Sequence, residues 1–381
     1  MKAYTKLIYV TIATVSLLSC ASVNQTTMSA ETVVMLENHL KQSHKSSDLF
    51  NEIELLRLDG SSKSSLISSV DRIALMNDRV FVLDHKGNKV VAFDNEGKFV
   101  ASTARLIGNG RNEYIRLQDM AVDQDKKQVY LYCDAPYQLL ILNYDLKVVK
   151  RIAVDYLARE ICVDASCLYT LCHNLEQENV YELRCYDKSD LKGEHRLLVS
   201  YDKGIPGLFT TGKSVCSDGS RCLCCLPFDN RVYEVRNGNI DNVYNIDFNG
   251  EWFDHSQSKD LMGSAFIHQN IEKNWSIQNI SFSDSIMVFN TNKSRSFYIN
   301  LQNNTGAMYG MQKNDLFPFS VSTYTPCQSE EKGMAVITIP NEKVNDVLDE
   351  IRKDETIPET SIKWNEAKNT SNPMILKLKL K

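Results

Sequence analysis

The sequence predicts an all-β fold: a six-bladed β-propeller of four-stranded antiparallel blades, closed by the N-terminal strand pairing with the C-terminal strand. Three observations predict it. Short apolar runs bounded by turn residues fill the chain from about residue 50 onward. A unit of four such runs recurs. One alternating run near each end of the chain has no place in its own copy of the unit.

The first copy comprises 73–76, 80–84, 90–94 and 99–102, and the second 120–123, 129–133, 139–145 and 148–154. The third comprises 160–164, 168–172, 180–187 and 195–199, and the fourth 215–217, 222–226, 232–236 and 243–248. The fifth is 277–282, 286–290, 296–301 and 307–311. A sixth begins with 319–324 and 335–339, and there the pattern breaks. The second runs start at Val80, Val129, Leu168, Cys222, Ile286 and Ala335, with spacings from 39 to 64 residues. A four-stranded propeller blade takes about 40–50 residues, so the longer spacings mark inserted loops.

After Pro340 the period changes. Val344, Val347, Leu348 and Ile351 share one helical face, and Asn341 and Glu342 suit a helix start, which predicts a helix over 341–353 inside an insert spanning 341–372. Residues 374–380 then alternate as the third strand of the last blade, and 52–58 are free to supply its fourth. That pairing closes the ring and removes an open edge.

Upstream of the ring, residues 1–19 read as a signal peptide, with Lys2 and Lys6 ahead of an apolar stretch at 7–18. The stretch is short of the ~20 residues that span a bilayer. It ends Leu17-Leu18-Ser19-Cys20, which resembles the bacterial lipobox, where the peptidase cuts before a lipid-modified cysteine. The alternative is an ordinary signal peptide with a chance cysteine. Acyl chains on Cys20 would contribute ~0.8 kcal/mol per buried methylene, enough together for stable anchoring. Residues 20–48 read as the lipidated tether and 49–381 as the propeller. By analogy with other lipoproteins, Ala21 after the cysteine points to the outer membrane, and the lack of an acidic run there points to the periplasmic side.

Composition narrows the function. The chain has 381 residues, 43% apolar and 24% charged, with 16 Gly and 8 Pro, which excludes a disordered or collagenous protein. A net charge of −5 excludes a phosphate-backbone binder, so no nucleic-acid partner is expected. Ten cysteines remain besides Cys20. Most lie in apolar runs and are expected to be free, buried thiols. Hairpin disulfides Cys162–Cys167 or Cys216–Cys222 are the alternative, and the spacing of Cys222, Cys224 and Cys225 does not suit a zinc knuckle.

Four signatures stand together: the lipobox at Cys20, the run 52–58 followed by Leu66, Ile67 and Ile73, the loop 107–114, and the run 372–380. On these the chain resembles the six-bladed β-propeller lipoproteins of Bacteroidetes, an NHL-like family mostly of undefined activity. The family's loop reads Gly-x-Gly-Pro-Gly-Glu-Tyr, and this chain has Gly108, Gly110, Glu113 and Tyr114 with Arg111-Asn112 in place of Pro-Gly. The resemblance implies a fold and a location, and only weakly a function.

No nucleophile elbow, zincin helix or phosphate loop is present. Gly108 and Gly110 lead into a strand, not a helix, so they read as a turn and not a phosphate cradle. No cofactor or metal is expected. Strand parity places the loops between second and third strands, and those between blades, on one face. That face collects 106–116, 173–179, 201–212, 249–274 and 341–373. Long loops on a rigid scaffold are where binding residues are usually carried. The candidate contacts are Arg111, Glu113, Tyr114, His173, Trp252, His255, His268 and Trp364, around the mouth of the axial channel. The expected function is a binding or scaffold module for a cell-envelope partner or small ligand. The alternative is a propeller lyase or hydrolase working at the same mouth.

Overall fold

Strands such as Val80–Asp84 and Lys89–Phe93 are buried on both faces. A strand of that kind needs a packed layer on each side of its sheet. Repeated along the chain, this need stacks sheets face to face around a common axis. The structure is a computed structural model that describes residues 31–37, 46–174, 180–205, 212–254, 263–309, 323–353, 362–364 and 371–381.

The fold is all-β and propeller-like. One four-stranded sheet runs Arg116–Asp123, Gln128–Ala135, Tyr137–Asn143 and Val148–Ala153 in consecutive order. A second runs Ala158–Val163, Cys167–His173, Tyr181–Asp187 and Arg196–Tyr201. A third contains Arg72–Leu75, Val80–Asp84, Lys89–Phe93 and Phe99–Ser102, with Cys327–Ser329 added parallel to Arg72–Leu75. These carry the first three copies read from the sequence.

The two ends of the chain meet as expected. Phe50–Arg57 pairs antiparallel with Met374–Leu380, with Ile53 opposite Leu378 and Leu55 opposite Leu376. Met334–Ile339 flanks this pair on the other side of Met374–Leu380. The helix Asn341–Lys353 packs Val344 and Val347 against Leu49, Phe50 and Tyr324.

Three expectations are corrected. The fourth and fifth copies do not stand apart. Glu31–Glu37, inside the segment read as tether, lies parallel between Asn239–Asp247 and Thr305–Tyr309 and joins both groups into one nine-stranded sheet. Its Val34 and Leu36 are buried while Val33 and Met35 face out. The physical reason is that two outer strands offered open edges, and one alternating segment satisfies both. The first strand of the sixth copy was expected at 319–324. Residues 319–322 lie outside the described residues, Tyr324 is not in a strand, and Cys327–Ser329 takes that place. Pro326 has no N–H for a ladder, and its carbonyl accepts instead from the Ile73 N–H at 2.9 Å. Finally, Ile362–Trp364 within the 341–372 insert is a strand, parallel to Phe50–Arg57.

All ten described cysteines are free and buried. The hairpin pairings fail on register: Cys162 faces Tyr169, Cys216 faces Leu223 and Cys222 faces Ser217. Among the described residues no helix is long and apolar enough to cross a membrane.

Candidate functional site

Strands that start their copies meet at the axis: Arg72–Leu75, Arg116–Asp123, Ala158–Val163, Val215–Ser217, Ile277–Phe282 and Cys327–Ser329. Their starting ends carry polar residues in adjacent pairs. Asp71-Arg72, Gln118-Asp119, Arg159-Glu160, Lys213-Ser214 and Gln278-Asn279 each place at least one residue in the wall of a cavity at one end of the axis.

Arg72 closes the centre. It is 4% exposed. Its guanidinium donates to the carbonyls of Ile161 at 2.8 Å and Met120 at 3.3 Å, and to Glu160 Oε2 at 3.2 Å. Its Nε lies 3.3 Å from Asp119 Oδ1, an ion contact without hydrogen-bond geometry. Glu160 Oε2 also accepts the Ser214 and Val215 N–H groups at 2.7 and 3.1 Å. Asp119 Oδ2 accepts the Ile161 N–H at 2.8 Å, and Lys213 Nζ stands 3.2 Å from Asp119 Oδ1. Burial pushes the Glu160 carboxyl up, against the pull of Lys213 and Arg72.

Above this layer a cavity of about 490 Å³ opens to solvent. Its wall holds Asp71, His85, Gln118, Arg159, Glu160, Lys213, Gln278, Asn279 and Thr323–Pro326. His85 Nε2 lies 2.7 Å from the Gln118 carbonyl and Nδ1 lies 3.5 Å from Asp71 Oδ1. Burial would lower the imidazole pKa, but the bond to Asp71 outweighs it and the value is raised. Burial would likewise raise Asp71, but bonds from His85 and Ser69 hold it at about 2. With an acceptor beside each nitrogen, the protonated form of the ring is the favoured one. Asn279 has a φ of 56°, inside a strand with a register shift between Gln278 and Ser281. This left-handed residue lets Asn279 Oδ1 accept the Lys213 N–H at 3.2 Å while its own N–H donates to the Lys213 carbonyl at 2.6 Å. The kink thus fixes the backbone that carries Lys213.

The sequence profile of a family described as domain of unknown function (DUF4934) matches residues 31–379. The chain belongs to the DUF4934 family. No curated protein matches it. Among solved structures, a Bacteroides fragilis protein described as exported is 16% identical, with 92% of this chain and 100% of that chain covered and a TM-score of 0.63. A Bacteroides vulgatus protein of the DUF4221 family is 10% identical, with 87% and 97% covered and a TM-score of 0.49. The first similarity shows that the DUF4934 fold is shared with that protein.

The long inserts of this DUF4934 chain leave their sheets at the cavity end. Thr325, in the cavity wall, bonds Thr338 at 2.8 Å just before the helical insert. The Trp275 N–H, at the close of the 249–274 insert, donates to Asn292 at 2.7 Å, two residues from Ser294 in the wall. Among the described residues, the wall does not include Arg111, Glu113, Tyr114, His173, Trp252 or His268. Arg111 is exposed on the loop joining the first two copies. Glu113 Oε2 clips that loop by accepting the Gly110 N–H at 2.7 Å. Tyr114 is fully buried, its hydroxyl 2.7 Å from Thr103 Oγ1, so it is core and not a surface contact. His173 stacks on Tyr181 at 4.8 Å, and Trp252 stacks on Phe248 at 4.8 Å. His268 is exposed on the short helix Gly263–Gln269. Trp364 is placed in a strand opposite Leu55. His255, like Cys20, lies outside the described residues.

Proposed function

We propose that this DUF4934 protein is a lipid-anchored cell-envelope propeller that binds a small polar ligand at the mouth of its axial channel. The carrying observation is the cavity of about 490 Å³ whose wall draws on the starting ends of all the axial strands. Ligand sites commonly occupy about 300–1,000 Å³ and orient their ligand through a few fixed polar groups. Here Lys213, Asp71 and His85 are each held by neighbours, so the wall is arranged before any ligand arrives.

A count of six blades follows if the nine-stranded sheet is divided at Glu31–Glu37 into two groups of four. Anchoring rests on the signal-like residues 1–19 and the lipobox at Cys20. The exported description of the Bacteroides fragilis protein agrees with that location. An outer-membrane, periplasm-facing attachment is the reading of Ala21 and the polar residues after it.

Binding is preferred over catalysis because the one imidazole in the wall among the described residues, His85, has both nitrogens engaged. A general base needs a nitrogen able to take a proton.

Two measurements test this. Cys20→Ala should move the protein from the membrane fraction to soluble or uncut material. Native mass spectrometry of the mature protein after exposure to an envelope metabolite extract should show a small-molecule adduct. Thr323→Trp, which fills the mouth, should abolish that adduct. An adduct unchanged by Thr323→Trp would move the site elsewhere.

A further inference from the structure

We infer that the axial mouth takes an oxyanion: a hydrophilic small molecule carrying one carboxylate or phosphate group, held by Lys213 and Arg159. This rests on the ligand-binding reading above and adds the chemical class.

Asp71 and Glu160 at the mouth are already engaged, and Asp119 through one oxygen. Asp71 accepts from Ser69 Oγ at 2.6 Å and from the His85 N–H at 2.8 Å. Glu160 Oε2 takes two backbone N–H groups and Arg72. Asp119 Oδ2 takes the Ile161 N–H. Lys213 is engaged less completely. Lys213 meets Asp119 Oδ1 at 3.2 Å as an ion contact, and that oxygen makes no hydrogen bond. An ammonium has three donors, so Lys213 has directions left for another acceptor. Arg159 bonds the Tyr181 hydroxyl, and a guanidinium carries five N–H groups in a fork suited to carboxylate and phosphate.

Charge points the same way. Among the described residues, the wall sets Arg159 and Lys213 beside Asp71 and Glu160, with His85 paired to Asp71. Burial also pushes the Glu160 carboxyl up. A concave, partly desolvated surface focuses such a field on an approaching anion. Arg72 closes the axis beneath, so the anion stops at the mouth.

Titration calorimetry on the mature protein in detergent, with glucuronate, glucose 6-phosphate and glucose as probes, tests the class. At least one acid should bind at least about 10-fold more tightly than glucose, a difference of one charge-assisted contact. The arms separate carboxylate from phosphate. Lys213→Gln and Arg159→Gln should each weaken the acid about 10-fold, Lys213→Arg should restore it, and added salt should weaken it. Circular dichroism of each variant shows that the fold is kept. Three results overturn the inference: glucose binding as tightly as the acids, acid binding that survives Thr323→Trp, or no binding by either acid. In the first case a glucose signal lost in Thr323→Trp leaves the mouth as a binding site and removes only the anion class. In the last, the extract experiment above decides separately whether the mouth binds at all.

Discussion

Arg72 donates to the carbonyl of Ile161 at 2.8 Å, although the two residues are 89 positions apart and belong to different sheets. The bond spans the axis, and with Met120, Glu160 and Asp119 it fastens three sheets to one guanidinium. An apolar core cannot supply this, because the axial strands turn backbone carbonyls towards one another and each needs a donor.

Removing only the cation should therefore be costly. Arg72→Met leaves Asp119 with Lys213 as its one remaining described cation and Glu160 with backbone donors, and a broken buried ion pair costs about 3–5 kcal/mol. Adding Asp119→Asn and Glu160→Gln to the same variant should recover much of the loss. Urea unfolding of the single and triple variants checks this. A single variant as stable as the parent would show that the axis is held by the strands alone.

The His85–Asp71 pair sets a pH window. Asp71 is held at about 2, below its ordinary 3.8, so its contribution is present above about pH 4 and is lost as pH falls towards 2. His85 is raised above its ordinary 6.5, so its contribution is present below 6.5 and is lost as pH rises through the folded value. Both shifts describe one interaction, which is complete between roughly pH 4 and 6.5 and is worth at most about 2 kcal/mol with the side chains about 30% exposed. Melting temperatures from pH 3 to 8 should show a shallow optimum in that window. Asp71→Asn should flatten both limbs, and an unchanged profile would remove the pair from the stability of the rim.

The folded ring was legible where side-chain period and burial agree. The run Met374–Leu380 alternates, and its partner Phe50–Arg57 was identifiable because no other copy used it. The strand Glu31–Glu37 was hidden by its position. Val33, Val34, Met35 and Leu36 are a β-like run, but they follow a lipobox and a polar stretch and so read as tether. The site was half legible. Strand parity puts the long inserts on one face, because that depends only on counting reversals. The candidate contacts lie in long loops with tryptophan and histidine, and nothing in those loops marks the polar pairs at the starts of the axial strands that line the described wall. The recurrence of Asp71-Arg72, Gln118-Asp119 and Arg159-Glu160 just before apolar runs was the available signal.

Glu31–Glu37 should behave as a joint between two halves of the nine-stranded sheet. Its edges satisfy Asn239–Asp247 and Thr305–Tyr309, and Val34 is fully buried. Val34→Asp places a charge there and should cost at least about 2–3 kcal/mol. Hydrogen exchange should quicken in those two outer strands first and leave Arg116–Asp123 as slow as before. Uniform quickening over all sheets would mean that the strand supports the whole ring and not a local seam.

The thiols make the last prediction. Ten cysteines lie buried and free, in a protein proposed to work where disulfides form. A disulfide needs opposed Cβ atoms, and the register denies this to the hairpin candidates. Burial also pushes thiols such as Cys133, Cys162, Cys222 and Cys327 up, away from the reactive thiolate. Cys167 is the exception: a bond with Cys185 outweighs its burial and lowers it. The mature protein in native buffer should therefore react with a thiol reagent such as dithionitrobenzoate at Cys167 or nowhere. In guanidinium chloride the same protein, never reduced, should release ten thiols per chain. Mass mapping identifies the first site to react, and Cys167→Ser should remove any native-state signal. Fewer than ten thiols in denaturant would reveal bridges. Rapid native reaction at several sites would mean that the sheets open on the timescale of labelling.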